Sequence, residues 1–117
     1  MRTSLALDIA QPQLDLVLAR LADRLPDAVV FAFGSRVRNW PFGRGSKPYS
    51  DLDLAVWPAS PYKPGIDLTL AELRADLEDS ALPWRVDVSL AQDLPVSLRE
   101  MVLQHGVGLQ RSAEPAT

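Results

Sequence analysis

Leu14, Val17, Leu18, Leu21 and Leu25 recur at three- and four-residue intervals, while Asp15, Arg20, Asp23 and Arg24 fall off that stripe. An apolar face at this spacing predicts an amphipathic helix from about Pro12 to Leu25. Pro12 suits the first turn, where a missing N–H costs nothing, and Pro26 ends the helix. Ala28 to Phe33 is instead a continuous apolar run, β-branched and aromatic, which predicts a buried strand. Gly34 and Ser35 break that run. Residues 36–50 then read as a polar connection with room for a short helical turn at its start.

Strict alternation follows. Leu52, Leu54 and Val56 point to one side of a second strand, over 52–57, and Asp51 and Asp53 to the other. Pro58, Pro61, Pro64 and Gly65 form the next loop. Thr69 and Glu72 have capping-box spacing, and Leu70, Leu73 and Leu77 continue a helix to about Ser80. A third strand spans Trp84 to Leu90, with Trp84, Val86, Val88 and Leu90 on one side and Arg85, Asp87 and Ser89 on the other. Asp93 and Pro95 open a last helix with Leu98, Met101, Val102 and His105 on its inner stripe and Gly106 as C-cap. Val107 to Leu109 adds a short strand, and Arg111 to Thr117 reads as a frayed tail. The order predicts an α/β (α+β) fold: a small mixed β-sheet with helices packed on one face, in a single domain over 1–110. The opposite face, carrying Asp51, Asp53 and Asp87, is left open.

Composition narrows the chemistry. The 117 residues include no cysteine and one histidine, so disulfides and cysteine- or histidine-rich metal sites are excluded. A metal would be held by carboxylates, which favours magnesium, manganese or calcium. The net charge of −3 argues against a general nucleic-acid surface. It is unevenly spread, however: Arg36, Arg38, Arg44 and Lys47 fall in a stretch, residues 34–50, without acids. A basic loop on an acidic protein points to a small anionic ligand. No signal-peptide pattern and no long apolar run is visible, so a cytoplasmic location without membrane contact is the expectation.

Asp51 and Asp53 have Cα atoms roughly 6.6 Å apart on one strand face, close enough for their oxygens to converge on hard cations. Asp87 supplies a third ligand if its strand is a neighbour. Two ions held this way can clamp the attacking and leaving oxygens of a phosphoryl transfer. Gly34 and Ser35, directly after a buried strand, can cradle a phosphate with backbone amides and a hydroxyl. Taken singly, an Asp-x-Asp pair or a Gly-Ser turn is an ordinary surface feature.

Together, the runs Phe31–Arg38, Tyr49–Val56 and Trp84–Val88 resemble the minimal nucleotidyltransferase domain of the DNA polymerase β superfamily, over about Leu14 to Leu109. The resemblance implies a polymerase-β-like fold. It implies that Gly34 and Ser35, with Arg36 and Ser50, bind the nucleotide, and that Asp51, Asp53 and Asp87 are catalytic and hold two Mg2+ ions, or Mn2+. It further implies ATP as substrate, AMP as the transferred group and a tyrosine of a HEPN-domain toxin as acceptor, the chain being the antitoxin. Two alternatives stand beside it: neutralisation of the partner by binding alone, and a small-molecule (antibiotic) nucleotidyltransferase. Two departures from the family pattern are visible: Asn39 stands where a small residue is usual, and the connection over 40–47 is long. The bland readings are a helix-end role for His105, packing for Trp57 and Trp84, and a loop-anchor or partner role for Trp40 and Phe42.

Overall fold

A computed structural model describes residues 6–41, 43, 45–59 and 64–110. Phe42, Arg44 and the expected tail at 111–117 lie outside the described residues. Helix α1 (Gln11–Arg24) leads to strand β1 (Val29–Phe33) and, after a long connection, β2 (Leu52–Trp57). Helix α2 (Ile66–Glu78), strand β3 (Val86–Leu90), a 3-10 turn (Ala91–Asp93), helix α3 (Val96–His105) and strand β4 (Val107–Gln110) complete the order.

The four strands lie in the order β3-β2-β1-β4. β1 is antiparallel to both β2 and β4, whereas β2 and β3 are parallel. A parallel pair needs a crossover, and α2 supplies it. The sheet is therefore mixed, as expected. Val30, Leu54 and Val88 are adjacent or near-adjacent in register and at most 1% exposed, so one sheet face is sealed. Leu14, Val17 and Leu21 of α1 and Leu70, Leu73 and Leu77 of α2 close the same core. Fully burying each such side chain contributes roughly 1.5–3 kcal/mol.

Helix boundaries follow local chemistry, with two differences from expectation. In α1 the Ala10 amide donates to Gln13 Oε1 at 3.1 Å, which satisfies one otherwise unpaired donor. α2 begins three residues before the expected cap. Gly65, at φ +82°, turns the chain into the helix at Ile66, and the Thr69 hydroxyl donates to the Gly65 carbonyl from inside the first turn. The Thr69/Glu72 spacing is thus helical but not a cap. At the end of α3, His105 is exposed rather than on the inner stripe, and Val102 alone is fully buried. Gly106 ends the helix without a left-handed turn, at φ −71°. A Cβ there would stand 2.5 Å from the Val102 carbonyl and 2.8 Å from that of Ala32, so the glycine lets the helix end press against β1.

The segment before α1 also enters the core. Leu7 and Ile9 are buried, Leu7 bridges Val37, and the Asp8 and Arg38 amides exchange bonds with the Arg36 and Ala6 carbonyls. No helix is long and apolar enough to cross a membrane among the described residues.

Candidate active site

Strand directions gather the chemistry at one end of the sheet. β1 ends there, and β2 and β3 both begin there. Phe33, Asp53 and Asp87 form one row across three strands, so both carboxylates emerge on the same face. Adjacent strands lie about 4.8 Å apart, which brings Asp53 and Asp87 close. Asp51 precedes β2 on that face and is exposed.

Gly34 follows Phe33 at φ +84°, a left-handed conformation that glycine takes without cost. A Cβ at this position would lie 2.5 Å from Asp53 Oδ2. The turn backbone and the acid therefore touch, and only glycine permits it. The Val37 amide is bonded to the Gly34 carbonyl and that of Arg38 to Ala6. Among the described residues, the Ser35 and Arg36 amides and the Ser35 hydroxyl have no partner. Those donors are what a phosphate oxygen requires.

The carboxylates are mutually repelling. Asp53 is pushed from 3.8 to about 6, first by burial and then by the charges of Asp87 and Asp51. Among the described residues, no three carboxylate or imidazole groups are drawn close enough to ring one ion. The three side chains thus share a neighbourhood but stand apart. Their chemistry fits a hard divalent cation: oxygen donors only, uncompensated negative charge, and one acid whose ionised form lacks a counter-charge.

Arg36 departs from expectation. Its guanidinium does not reach out beside the turn. The side chain is 5% exposed, and it donates to the carbonyls of Ser50 (3.1 Å), Asp8 (2.8 Å) and Pro48 (2.9 Å). It also stacks over Trp84, 4.9 Å from the ring centre. Burial lowers its pKa and the nearby Asp8 opposes that. With its fork occupied by backbone, the Arg36 side chain fixes the loop that delivers Asp51 rather than reaching a ligand as expected, while its main-chain amide stays unpartnered beside Ser35 among the described residues. Ser50 belongs to that loop: its hydroxyl accepts from the Lys47 amide at 2.8 Å and closes the 47–50 turn. Trp40 packs against Phe33, with ring centres 6.0 Å apart, which anchors the loop locally. Trp57 meets Phe31 edge-on at 5.6 Å, and Trp84 is buried, so both are packing residues as expected.

A groove of about 490 Å³ opens beside the acids. It is lined by Asp51 and Asp87, by the charged Arg74, Glu78 and Arg85, and by the apolar Leu77, Leu82, Pro83, Trp84 and Val86. Neither Gly34, Ser35 nor Asp53 lines it.

This fold recurs in known structures. The chain superimposes on a toxin–antitoxin MntA–HepT complex with a TM-score of 0.59 at 23% identity, covering 88% of this chain and 74% of that one. A toxin–antitoxin complex with AMP-PNP gives 0.61 at 25% identity, over 86% and 74% of the two chains. A third match is to a tri-AMPylated Shewanella oneidensis HEPN toxin in complex with MNT antitoxin, at 0.59 and 25% identity over 87% and 72%. The chain has the minimal nucleotidyltransferase fold. A Haemophilus influenzae protein named as a probable protein adenylyltransferase, MntA, is 42% identical over 83 residues, 70% of this chain. That match spans 65% of the relative's length, just under two-thirds of it. No protein-family profile matches the chain. In this minimal nucleotidyltransferase fold, the glycine–serine turn and the three acids occupy one sheet end, as the sequence pattern implies.

Two features of this site escaped the sequence. The clamp role of Arg36 has no local signal, because a basic residue beside a Gly-Ser turn reads as an anion ligand. The groove gathers Asp51, the end of α2 and the start of β3, and only the packed structure assembles it.

Proposed function

We propose that this chain is a metal-dependent nucleotidyltransferase that moves AMP from ATP onto a tyrosine hydroxyl of a HEPN-domain toxin, and so acts as its antitoxin. The observation that carries this reading is the contact between Gly34 and Asp53, which sets the phosphate-binding turn against the acids. The 42% identity to a probable protein adenylyltransferase supports the activity, and the toxin–antitoxin complexes support the partner. The action is placed in the cytoplasm, with no direct nucleic-acid or membrane contact.

In this scheme the free amides of Ser35 and Arg36 and the Ser35 hydroxyl hold the triphosphate. Ser50 borders the nucleotide from the loop that Arg36 fixes. Asp51, Asp53 and Asp87 would hold two magnesium ions, for which manganese substitutes, and these supply charge neutralisation at the phosphates. The acceptor oxygen forms a bond to the α-phosphorus, the bond from that phosphorus to the bridging oxygen breaks, and pyrophosphate leaves. The acceptor's proton passes to Asp87. Catalysis is then positioning and electrostatics rather than covalent chemistry by the protein.

The test is label transfer from α-labelled ATP, with magnesium, onto a purified HEPN-domain toxin. Transfer that disappears in Asp51→Asn combined with Asp53→Asn is expected. No transfer, or transfer undiminished in that variant, overturns the proposal.

A further inference from the structure

Gly34 and Asp87 lie two strands apart across the same sheet end, about 10 Å in all, with Asp53 between them. An in-line displacement needs the nucleophile opposite the leaving group. With the triphosphate's leaving end on the Gly34–Ser35 side, the nucleophile must approach over Asp87. The 490 Å³ groove lies on that side and includes Asp51 and Asp87 in its lining, but neither Gly34, Ser35 nor Asp53. From this we infer that the groove between α2 and the start of β3 is the acceptor subsite, with Leu82 and Arg85 as its specificity residues; this rests on the function proposed above.

The shape of the groove fits the chemistry. A hydroxyl placed at the Asp51/Asp87 end would carry its side chain along Leu82, Pro83 and Val86, all at least partly exposed. An aromatic ring would cover these three apolar side chains; a serine would leave them wet. The volume is in the range of pockets that enclose a small ligand, so a ring and its flanking backbone fit together. Arg85 is exposed, and although its carbonyl accepts from the Leu52 amide, its guanidinium has no hydrogen-bond or ionic partner among the described residues. It is a free cation for a carboxylate or carbonyl of the acceptor segment. Arg74, by contrast, is engaged: its Nη2 and Nε donate to the Val88 carbonyl at 2.6 and 3.2 Å, along the outer side of β3. The nucleotide base is under no such directional constraint, because it hangs from an equatorial oxygen of the reacting phosphorus and can leave the sheet face freely.

Leu82→Arg and Arg85→Glu test the assignment without touching the turn or the acids. Steady-state transfer to the same purified HEPN-domain toxin is measured for wild type and both variants, with magnesium–ATP affinity measured separately by calorimetry. The expected result is a KM for the acceptor raised roughly tenfold, as loss of one good contact gives, with ATP affinity within twofold of wild type. An unchanged acceptor KM in both folded variants overturns the subsite. Weakened ATP binding with an unchanged acceptor KM also overturns it and assigns the groove to the base. If wild type itself transfers nothing, the proposed function fails first and the subsite with it, a result distinct from active variants with an intact acceptor KM. Circular dichroism confirms folding, and Arg85→Lys, which keeps the charge, should restore most of the acceptor affinity.

Discussion

Two clusters of charge on this small protein behave in opposite ways. On the helical side, Arg24 of α1 reaches across to α2 and donates to Asp76 at 2.6 Å and Glu72 at 3.3 Å. The bond lowers the pKa of Asp76 and raises that of Arg24. At the end of the sheet, Asp51, Asp53 and Asp87 share a neighbourhood with no ion pair to any of them among the described residues, and Asp53 rises to about 6. The first cluster is compensated within the chain and fastens two helices. The second is left uncompensated within the chain, which weakens the fold and, under the proposed function, leaves the counter-charge to the metal ions. Opposed pKa directions on chemically similar carboxylates therefore separate scaffold from site.

Asp53→Asn should separate these effects most sharply. Transfer activity should fall by on the order of 10²–10³-fold, as expected when a preorganised electrostatic group is lost. The melting temperature of the metal-free variant at pH 7.5 should rise, because a repelled charge is gone. A fall in both would place Asp53 in the scaffold class. Arg36→Ala should come next. It strands three carbonyls and removes the stack on Trp84, at a cost of roughly 3 kcal/mol in denaturant unfolding. Arg36→Lys should recover little, since one ammonium cannot span the three acceptors.

The pH dependence of the metal-free protein is a smaller effect. Between 3.8 and about 6 the folded chain holds a proton on Asp53 that the unfolded chain has lost. Stability from this group therefore falls as pH rises through that window and stays lower above it. The loss is about 1–2 kcal/mol after discounting for solvent screening of a partly exposed group. Thermal melts from pH 4 to 8 should show this decline, and magnesium should raise the melting temperature more at pH 7.5 than at pH 5. Asp76→Asn should have the smallest effect. Its depressed pKa contributes stability above the ordinary carboxylate range that fades as pH falls, and the half-buried, solvent-screened pair should move the melting temperature only slightly at pH 7.

Much of this was legible in the residues because alternation carries it. A strand that reads Leu52-Asp53-Leu54 must put its acid on the face away from the core, and the register with Asp87 follows once β3 is parallel to β2. The glycine of the turn was legible as a glycine, though its contact with Asp53 was not. What escaped was set by distant closure. Leu7 and Ile9 are two apolar positions in a short segment, too few for a period, and their partner at Val37 lies 30 residues away. Arg36 was misread because sequence gives a side chain's charge but not its direction. The start of α2 was misread because Thr69 and Glu72 have a spacing that serves an N-terminus and a helix interior alike.

The engagement of Arg74 with the Val88 carbonyl has a consequence for association. β3 is an outer strand of the sheet, and a row of free peptide groups there would template a foreign strand. A guanidinium seated on one of those carbonyls interrupts the row and places a positive charge in the path of any incoming backbone. The protein thereby keeps a margin close to its chemistry exposed without inviting self-assembly into ribbons.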